Sequence, residues 1–340
     1  MSDQRSHRVA VIGGDGIGPT VTAAALEVVA AAGVPLETTH FDLGAARYLR
    51  DGFVLDDDTL EELRRFDAIL LGAIGPAIGD TRIAGGVLER GLLLRLRFGL
   101  DLYINYRPFV GQAGSLAEGL SFAIVRENTE GPYAGEGGVL RYGTAHEVAT
   151  QGSVNTRFGV ERCVRYAFAS ASALERPKLT LVHKTNVLTF AGDLWRRVVA
   201  DVGASYPGVA VDYQHVDAAC IYLVESPERY GVIVTDNLFG DILSDLAGAV
   251  TGGIGYAASA NLNPEKTGAS LFEPVHGAAY DLVGSDRANP LAAISSAVLM
   301  LEHLGEDDAA RRIGVAVADF EGDLAVLGTS GVVKQIRERL

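Results

Sequence analysis

Short apolar runs alternate with amphipathic stretches along most of this chain. Residues 8–13 (RVAVIG) and 67–75 (DAILLGAIG) are nearly continuous apolar runs, as expected for strands that are buried on both faces. Further strands are predicted at residues 179–184, 209–217 and 232–237, and helices at 19–33, 58–65 and 291–304. Pro19 opens the first helix, and Gly33 and Gly305 follow the ends of two helices, as helix punctuation requires. The alternation predicts an α/β fold.

Polar residues close three of the predicted strands. Lys184, Asp217 and Asp236 each stand at the end of an apolar run. In open α/β sheets, ligands bind beyond the carboxyl ends of the strands. The three side chains are therefore expected at the kind of edge where a ligand binds.

Composition narrows the classes of partner. The 340 residues carry a formal net charge of −14, which gives no general attraction to nucleic acid or to anionic membranes. The two cysteines, Cys163 and Cys220, form no CxxC pair, and such low use of cysteine is typical of the reducing cytoplasm. The start of the chain lacks the apolar core of a signal peptide, and no run of about 18 apolar residues could span a bilayer. A cytoplasmic protein is expected.

The segment TDNLFGDILSD, residues 235–245, carries a candidate metal site. Asp241 and Asp245 are four residues apart, which places both carboxylates on one face of a helix. Carboxylate oxygens suit Mg²⁺ or Mn²⁺. An isolated pair with this spacing is more often a solvated helix face. Here the flanking residues are apolar, and a like-charged pair held together calls for a cation.

Three arginines indicate an anionic ligand. Arg97, Arg107 and Arg126 lie in otherwise apolar segments, and arginine is suited to bidentate recognition of carboxylates. Each alone could be an ordinary surface residue, but together in an acidic protein they favour a small polyanion. Tyr133 and Lys184 could serve as acid and base, although a structural role is favoured for either residue taken singly from the sequence alone.

Two glycine-containing segments could face a nucleotide. The cluster GGDGIGP at residues 13–19 follows a strand, but Pro19 stands where a dinucleotide fingerprint would need glycine, so a tight turn is expected and not a Rossmann motif. In FEPVHGAAYDL, His276 and Gly277 could lie against an adenine ring, and Asp281 could accept a hydrogen bond from a ribose hydroxyl. Taken alone, the segment is better explained as a plain surface loop.

Taken in order, these segments resemble the β-decarboxylating dehydrogenase family, which includes the isocitrate and isopropylmalate dehydrogenases. The resemblance runs over nearly the whole chain, through the segments GDGIGP, RLR…NYRP, VRENTEGPY, HKTN, QHVDAA, TDNLFGDILSD, FEPVHG and RANP. It implies two α/β domains, one of residues 1–99 plus 252–340 on the cofactor side and one of residues 100–251 for substrate binding and dimerisation. The implied assembly is a homodimer whose active sites are shared between subunits.

The resemblance also implies a role for each candidate residue. Arg97, Arg107 and Arg126 would hold the carboxylates of a malate, and Asp241 and Asp245 would bind Mg²⁺ or Mn²⁺. Lys184 and Asp217 would both enter the active site from the partner subunit. Lys184 would be the base, directly or with Asp217, and Asp217 would also bind the metal. Tyr133 would return a proton to the product. The adenosine contacts would be His276, Gly277, Asp281, Leu282 and Asn289, and the pair Asp281 and Leu282 favours NAD over NADP.

The substrate follows from one further residue. In the resembling enzymes the C3 group of the malate meets the helix that here reads GLLLRLR, and Leu93, four residues before Arg97, would face it. An apolar wall favours an isopropyl group and leaves a charged group unpaired, so 3-isopropylmalate is predicted. The alternatives are D-malate or tartrate, homoisocitrate, and another 3-substituted malate of a specialised pathway. An alternative of another class is a catalytically silent regulatory subunit.

Overall fold

The computed structural model describes residues 6–340, which form two compact units. Unit 1 comprises the described residues up to Leu102 together with Gly253–Leu340, and unit 2 comprises Tyr103–Gly252. Unit 1 is therefore built from two separate stretches of chain, and unit 2 from the stretch between them.

Strands and helices alternate in both units, which confirms the predicted α/β class. The strands are β1 His7–Gly14, β2 Leu36–His40, β3 Ala68–Ala73, β4 Ile104–Val110, β5 Ser121–Glu127, β6 Gly137–Leu140, β7 Val148–Gln151, β8 Lys178–His183, β9 Ala210–His215, β10 Val232–Thr235, β11 Ala258–Leu262 and β12 Ser270–Pro274. The helices are α1 Gly18–Ala31, α2 Ala45–Asp51, α3 Asp57–Leu63, α4 Arg95–Gly99, α5 Arg157–Ser172, α6 Thr189–Gly203, α7 Val216–Glu225, α8 Asn237–Val250, α9 Leu291–Leu304, α10 Asp307–Ala318 and α11 Leu324–Arg337.

The sheet of unit 1 has the strand order β2-β1-β3-β12-β11. β11 runs antiparallel to β12, and the other neighbours are parallel. β1 and β3 lie inside this sheet. All of β3 and five of the eight residues of β1 are buried, which explains their apolar sequences. Leu63, Leu71 and Leu96 are among the side chains that join α3, β3 and α4 in one apolar core.

The sheet of unit 2 has the strand order β4-β5-β10-β8-β9. β4 is antiparallel to β5, whereas β5, β10, β8 and β9 are parallel to one another. Their carboxyl ends therefore lie at the same edge of the sheet, which is where ligands bind in open α/β folds. α8 begins directly after β10 and packs against β5 and β10, so its first turns also lie at this edge.

The predicted buried strand at residues 209–217 is wrong in two respects. β9 ends at His215, and Asp217 lies in the first turn of α7. β9 is also the edge strand of its sheet, so its first residues are exposed although Val209 and Val211 look like part of a buried run. Lys184 and Asp236 likewise follow β8 and β10 and do not belong to them.

The segment GLLLRLR does not form the single α-helix that its sequence predicts. Residues Glu89–Leu94 form a π-helical turn, and the α-helix begins at Arg95. The wider turn leaves Leu92 fully buried and Leu93 partly buried against the same apolar core. At Gly91, a Cβ atom would lie 2.9 Å from Cγ1 of Val54, so this turn packs closely against the neighbouring loop.

An exposed hairpin projects its side chains into solvent in the described chain. β6 pairs with β7 in antiparallel register, with Gly137 opposite Gln151 and Leu140 opposite Val148. All eight of their residues are exposed, and apolar residues are prominent, with Leu140 at 68% and Tyr142 in the connecting turn at 83% exposure. Among residues 6–340, no helix is long and apolar enough to cross a membrane.

Candidate active site

Arg126 is the most deeply buried charged side chain at the carboxyl edge of the unit 2 sheet. It is the penultimate residue of β5 and is 1% exposed. Its Nε and Nη2 atoms donate hydrogen bonds to Oδ1 of Asn237, at 3.0 and 2.7 Å. Its Nη1 atom donates to Oδ1 of Asp241 at 2.5 Å. A buried guanidinium needs such partners, because burial without them would cost several kcal/mol.

Arg107 lies beside Arg126 on the antiparallel strand β4 and meets the next turn of α8. Its Nη1 atom donates to Oγ of Ser244 at 2.6 Å and lies 3.6 Å from Oδ1 of Asp245. Oγ of Ser244 in turn donates to the backbone carbonyl of Asp241 at 3.0 Å. One helix face thus meets both arginines with alternating neutral and acidic side chains.

Asp241 and Asp245 share this face, as their spacing predicts. Their side chains are 42% and 67% exposed, so both carboxylates can be reached from solvent. Partial burial raises the pKa of the Asp245 carboxyl, with Arg107 opposing the rise and Asp241 adding to it. Two accessible carboxylates one helical turn apart fit two of the ligands that Mg²⁺ or Mn²⁺ requires.

Tyr133 joins the same cluster from a short helical turn, Pro132–Ala134. Its hydroxyl donates a hydrogen bond to Oδ2 of Asp241 at 3.2 Å. Its ring lies 5.2 Å from the guanidinium carbon of Arg126. The loop that carries Tyr133 is held to α8, because Nδ2 of Asn237 donates to the backbone carbonyl of Glu130 at 3.0 Å.

Lys184 and Asp217 form a separate ion pair in unit 2. Nζ of Lys184 lies 2.6 Å from Oδ1 of Asp217, and this hydrogen bond from Lys184 lowers the pKa of the Asp217 carboxyl. The loop after Lys184 is fixed by the hydroxyl of Tyr213, which accepts hydrogen bonds from the backbone N–H of Thr185 and also contacts Nδ1 of His215 at 2.7 Å. The Asp217 side chain is largely exposed.

The predicted metal ligands are not all gathered in one chain. Within residues 6–340, no group of three or more His, Cys, Asp or Glu side chains is arranged to hold a metal ion. Asp241 and Asp245 face the two arginines, and Asp217 faces Lys184. Within the described chain the three predicted ligands are therefore divided between two groups.

Leu93 and Arg97 lie in unit 1. Arg97 is mostly buried on α4, and its Nη2 atom lies 3.7 Å from Oε1 of Glu273 at the end of β12. Leu93 precedes it in the π-helical turn and packs against the apolar core of the unit. An apolar and a cationic side chain thus follow one another closely along the chain in this unit.

The glycine turn of residues 13–18 lies against the loop that follows β12. The backbone N–H of Ile17 donates to the carbonyl of Ala278 at 2.8 Å, and a side chain at Gly16 would collide with that carbonyl. The turn also carries Asp15, which is 3% exposed and whose carboxylate accepts hydrogen bonds from the backbone N–H groups of Ala45 and Gly75. The tight turn predicted from sequence thus ties three loops of unit 1 together.

The residues predicted to contact adenosine lie in and beyond the same loop. Nε2 of His276 is buried and has no hydrogen-bond partner among residues 6–340, and burial lowers the pKa of this imidazole. Gly277 is exposed, and no atom lies within 4 Å of the position that its Cβ would take. Asp281 and Leu282 form a short helical turn with Tyr280, and Asn289 accepts a hydrogen bond from the backbone of Leu291 at the start of α9. Nε2 of His276 could form a hydrogen bond with the edge of a flat heterocycle, and the free space at Gly277 could admit such a ring.

Two side chains of the cluster were not identified from the sequence. Asn237 and Ser244 contact the arginines as closely as the two aspartates do. The signal that could have found them is their position, since residues 237, 241, 244 and 245 follow the spacing of one helix face.

Comparison with known proteins gives a consistent result. A sequence profile described as isocitrate/isopropylmalate dehydrogenase matches residues 8–322. A 3-isopropylmalate dehydrogenase of Thermobifida fusca is 58% identical over 328 residues, which cover 93% of this chain and 91% of that protein. One of Leifsonia xyli is 55% identical over 349 aligned positions, which cover 99% of this chain and 98% of that protein.

Solved structures agree in fold. The crystal structure of isocitrate dehydrogenase from Methylococcus capsulatus superposes with a TM-score of 0.87 at 38% identity, covering 98% of this chain and 99% of that one. The apo form of a β-decarboxylating dehydrogenase from Thermococcus kodakarensis gives a TM-score of 0.78 at 37% identity, with 98% and 96% coverage.

Proposed function

The chain belongs to the isocitrate/isopropylmalate dehydrogenase family, and from this premise we propose that it oxidises 3-isopropylmalate with NAD and releases the β-carboxylate as carbon dioxide. The family inferred from the motifs is thereby confirmed. The protein is an NAD-dependent decarboxylating dehydrogenase, and the proposed step belongs to leucine biosynthesis. The observation that carries the proposal is the cluster formed by Arg107, Arg126, Tyr133, Asp241 and Asp245. The chain that contains it is more than half identical to relatives that are named 3-isopropylmalate dehydrogenase.

We assign the substrate carboxylates to arginine. Arg107 and Arg126 present guanidinium groups at the carboxyl edge of the unit 2 sheet, and Arg97 is the third arginine of the set, in unit 1. Guanidinium forks match carboxylates in geometry and charge. They also supply the local positive charge that an anion needs in a protein whose net charge is −14.

The C3 substituent is assigned from Leu93. Its side chain is apolar, and a charged C3 group next to it would be left without a partner. This favours the isopropyl group over the additional carboxylate of isocitrate. Hydrophobic discrimination of this kind is worth about 1–3 kcal/mol, so related malates are expected to be poorer substrates, not fully excluded ones.

We assign Mg²⁺ or Mn²⁺ to Asp241 and Asp245 of one subunit and Asp217 of a second. When bound, the ion would lower the pKa of the substrate hydroxyl and NAD would accept the hydride. Lys184 takes the hydroxyl proton as the free amine, and the Asp217 carboxylate, 2.6 Å from Nζ, accepts a hydrogen bond from the ammonium group that results. Tyr133, hydrogen bonded to Asp241, returns a proton to the product carbon after carbon dioxide has left.

A homodimer is proposed as the working assembly. The partial metal site in one chain and the separate Lys184–Asp217 pair support it, because a second copy can bring that pair to the cluster on α8. Exposed apolar side chains on the β6–β7 hairpin, on α7 (Ile221) and on α8 (Ile242) offer surface for such an interface. Unit 2 would then be the substrate and dimerisation domain.

NAD is assigned to unit 1. His276, Gly277, Asp281, Leu282 and Asn289 would contact its adenosine part, with the exposed carboxylate of Asp281 accepting from a ribose hydroxyl. The same carboxylate would repel the 2′-phosphate of NADP. A cytoplasmic location is proposed from the two cysteines, since Cys163 and Cys220 are both free thiols.

The test is NADH formation by the purified protein with NAD⁺ and Mg²⁺. The compounds 3-isopropylmalate, D-malate, tartrate, isocitrate and homoisocitrate are offered in parallel, and NADP⁺ replaces NAD⁺ in a second series. The expected result is clear preference for 3-isopropylmalate and NAD⁺. Preference for another malate would overturn the assignment from Leu93 and keep the reaction class. Absence of turnover with all five would favour a silent subunit or a specialised substrate.

A further inference from the structure

The face of α8 that carries the two proposed metal ligands also carries two neutral side chains directed at the same arginines. Asn237 accepts from Nε and Nη2 of Arg126, and Ser244 accepts from Nη1 of Arg107. Asn237 and Ser244 are themselves buried, at 1% and 0% exposure. These contacts therefore lie in the protein interior and not at its surface.

The two aspartates that contact the arginines are also the proposed metal ligands. Asp241 and Asp245 contact Arg126 and Arg107 in the described chain, at 2.5 and 3.6 Å. A divalent ion at these carboxylates would compete with the arginines for the same oxygen atoms, because carboxylates are its preferred ligands. An arginine held by aspartate alone would then lose its anchor at the moment when it has to meet the substrate.

We infer that Asn237 and Ser244 are positioning residues that keep Arg126 and Arg107 oriented when a metal ion engages Asp241 and Asp245. The inference rests on the proposed function and deepens it. Because an amide and a hydroxyl carry no charge, they fix the guanidinium groups without neutralising them, so that the positive charge stays available for the substrate carboxylates.

The surroundings of Asn237 support this role. Its Nδ2 atom donates to the carbonyl of Glu130, which fixes the amide so that its oxygen faces Arg126. Gly240 leaves room for the arginine stem, since a Cβ there would lie 2.5 Å from Cγ of Arg126. Ser244 is anchored by donating to the carbonyl of Asp241, which leaves its oxygen lone pairs for Arg107.

The experiment measures the dissociation constant of 3-isopropylmalate, and of D-malate in parallel, by calorimetry with Mg²⁺ and without NAD. Asn237→Ala and Ser244→Ala are expected to weaken malate binding about 10- to 100-fold, as for loss of a hydrogen bond to a charged group. Mn²⁺ affinity without malate, followed by the electron paramagnetic resonance signal of free Mn²⁺, is expected to stay within about twofold of wild type, since both aspartates remain. Steady-state kinetics should show the same loss in KM, with a smaller change in kcat.

Matched controls separate positioning from stability. Asn263→Ala removes an equally buried asparagine of unit 1, and Ser296→Ala removes a buried serine that bonds only the carbonyl of Ala292 in its own helix. Both controls should lower the melting temperature without changing malate affinity. If Asn237→Ala does not fold, Ser244→Ala, which removes a single oxygen atom, still decides the matter.

A third variant tests whether the side chain at position 237 has to be uncharged. Asn237→Asp keeps an oxygen toward Arg126 but adds a negative charge, and it should bind malate at least as poorly as Asn237→Ala. Wild-type affinity in Asn237→Asp, unchanged affinity in both alanine variants, or a parallel fall of Mn²⁺ and malate affinity would overturn the inference. A wild-type protein that binds a malate but oxidises none would overturn the proposed function alone, since the affinity comparison would still stand.

Discussion

At the residue scale, the cluster on α8 balances charge inside a strongly acidic protein. Two arginines face two aspartates, so the cluster is formally neutral before any ligand arrives. A divalent cation and a substrate with two carboxylates would add charges that again cancel. Binding of the two ligands is therefore expected to be mutually favourable, because each leaves an unbalanced charge that the other compensates.

Lys184 offers the most direct test of the proposed chemistry. Replacing it with alanine removes the base and leaves Asp217 without its ion-pair partner. Turnover should fall by about 10²- to 10⁴-fold, the usual contribution of a positioned acid or base. Circular dichroism and melting temperature should stay close to wild type, because the ion-pair partner that Lys184 loses, Asp217, is largely exposed. Lys334→Ala, which breaks an exposed pair with Glu338, is the matched control; near-normal turnover in Lys184→Ala would remove the lysine from the mechanism.

Glu127, the neighbour of Arg126 on β5, should make stability depend on pH. Burial raises the pKa of this carboxyl from 4.5 to about 7, although Thr129 and Glu130 donate hydrogen bonds to it. The folded state thus binds the proton more tightly than the unfolded state, so this group lowers the free energy of unfolding as pH rises from about 4.5 to about 7.

The comparison of wild type with Glu127→Gln isolates this effect. The amide cannot ionise, so the variant should gain stability relative to wild type between pH 5 and pH 8, by up to about 3 kcal/mol for a shift of this size. Urea unfolding at the two pH values measures it. A difference between the two proteins that does not change with pH would show that Glu127 is not protonated in the folded state near neutrality.

The charged residues of the candidate site were singled out from the sequence, whereas the contacts of their neutral neighbours were not. The spacing of Asp241 and Asp245 is enough to place two carboxylates on one helix face. Asn237 and Ser244 share that face, but polar uncharged residues are common on helices and give no signal of what they contact. The buried carboxylate of Asp15 was likewise hidden, because its partners are backbone N–H groups contributed by two distant loops.

At the element scale, α8 is both a packing element and the support of the site. The carboxylate of Asp236 caps it by accepting from the backbone N–H of Phe239, which stabilises its first turn beside Arg126. Its apolar side packs against the sheet, and its polar side faces the arginines. Spacing along the helix therefore sets the spacing of the chemical groups.

Gly240 affects both the packing of α8 and the site, because it lies in the helix directly against the stem of Arg126. Gly240→Ala should favour the helix by about 1 kcal/mol from propensity alone. The new methyl group would also press on the Arg126 stem, 2.5 Å away at Cγ, so substrate affinity should fall while the fold persists. The measurements are KM and melting temperature. In Gly314→Ala on α10 the nearest side-chain atom to the new Cβ is 4.0 Å away, so that control should gain stability without a change in KM; equal behaviour of the two variants would contradict the prediction.

Elements whose position in the sheet matters were the least predictable. Buried central strands such as β3 were located from their apolar runs, because both faces of each are covered. β9 looked similar in sequence but is an edge strand. The sequence of residues 209–217 does not show that no strand pairs with its outer edge. The π-helical turn at Glu89–Leu94 was missed for a related reason, since its close contact at Gly91 is with the distant residue Val54.

At the scale of the whole molecule, the proposed sharing of the active site between two subunits leads to a prediction about mixed subunits. Lys184→Ala and Asp241→Asn should each be nearly inactive as homodimers, because each damages both sites. A hybrid of the two places one intact Lys184 opposite one intact Asp241, so one of its two sites is complete. The purified hybrid, obtained by co-expression with two different tags, should recover about half of wild-type turnover.

The same experiment can refute a shared site. If each active site is built within one subunit, the hybrid will be as inactive as its parents. A hybrid of Lys184→Ala with Asp217→Asn provides the control, because both changes fall on the same ion pair. In that hybrid each site contains one of the two changes, whichever subunit supplies the pair, so the hybrid should stay as inactive as its parents.

The interrupted chain path of unit 1 has a consequence for synthesis on the ribosome. β3 is complete at Ala73, but its parallel neighbour β12 begins only at Ser270, after about 200 further residues. At translation rates of about 5–20 residues per second, the buried strand β3 lacks its neighbour β12 for about 10–40 s. Unit 2, Tyr103–Gly252, is synthesised within that interval and can fold before unit 1 is complete. The segment before unit 2 is therefore expected to be the most aggregation-prone part of the nascent chain. Destabilising changes in β1 or β3 should reduce the yield of folded protein more than equal changes in unit 2.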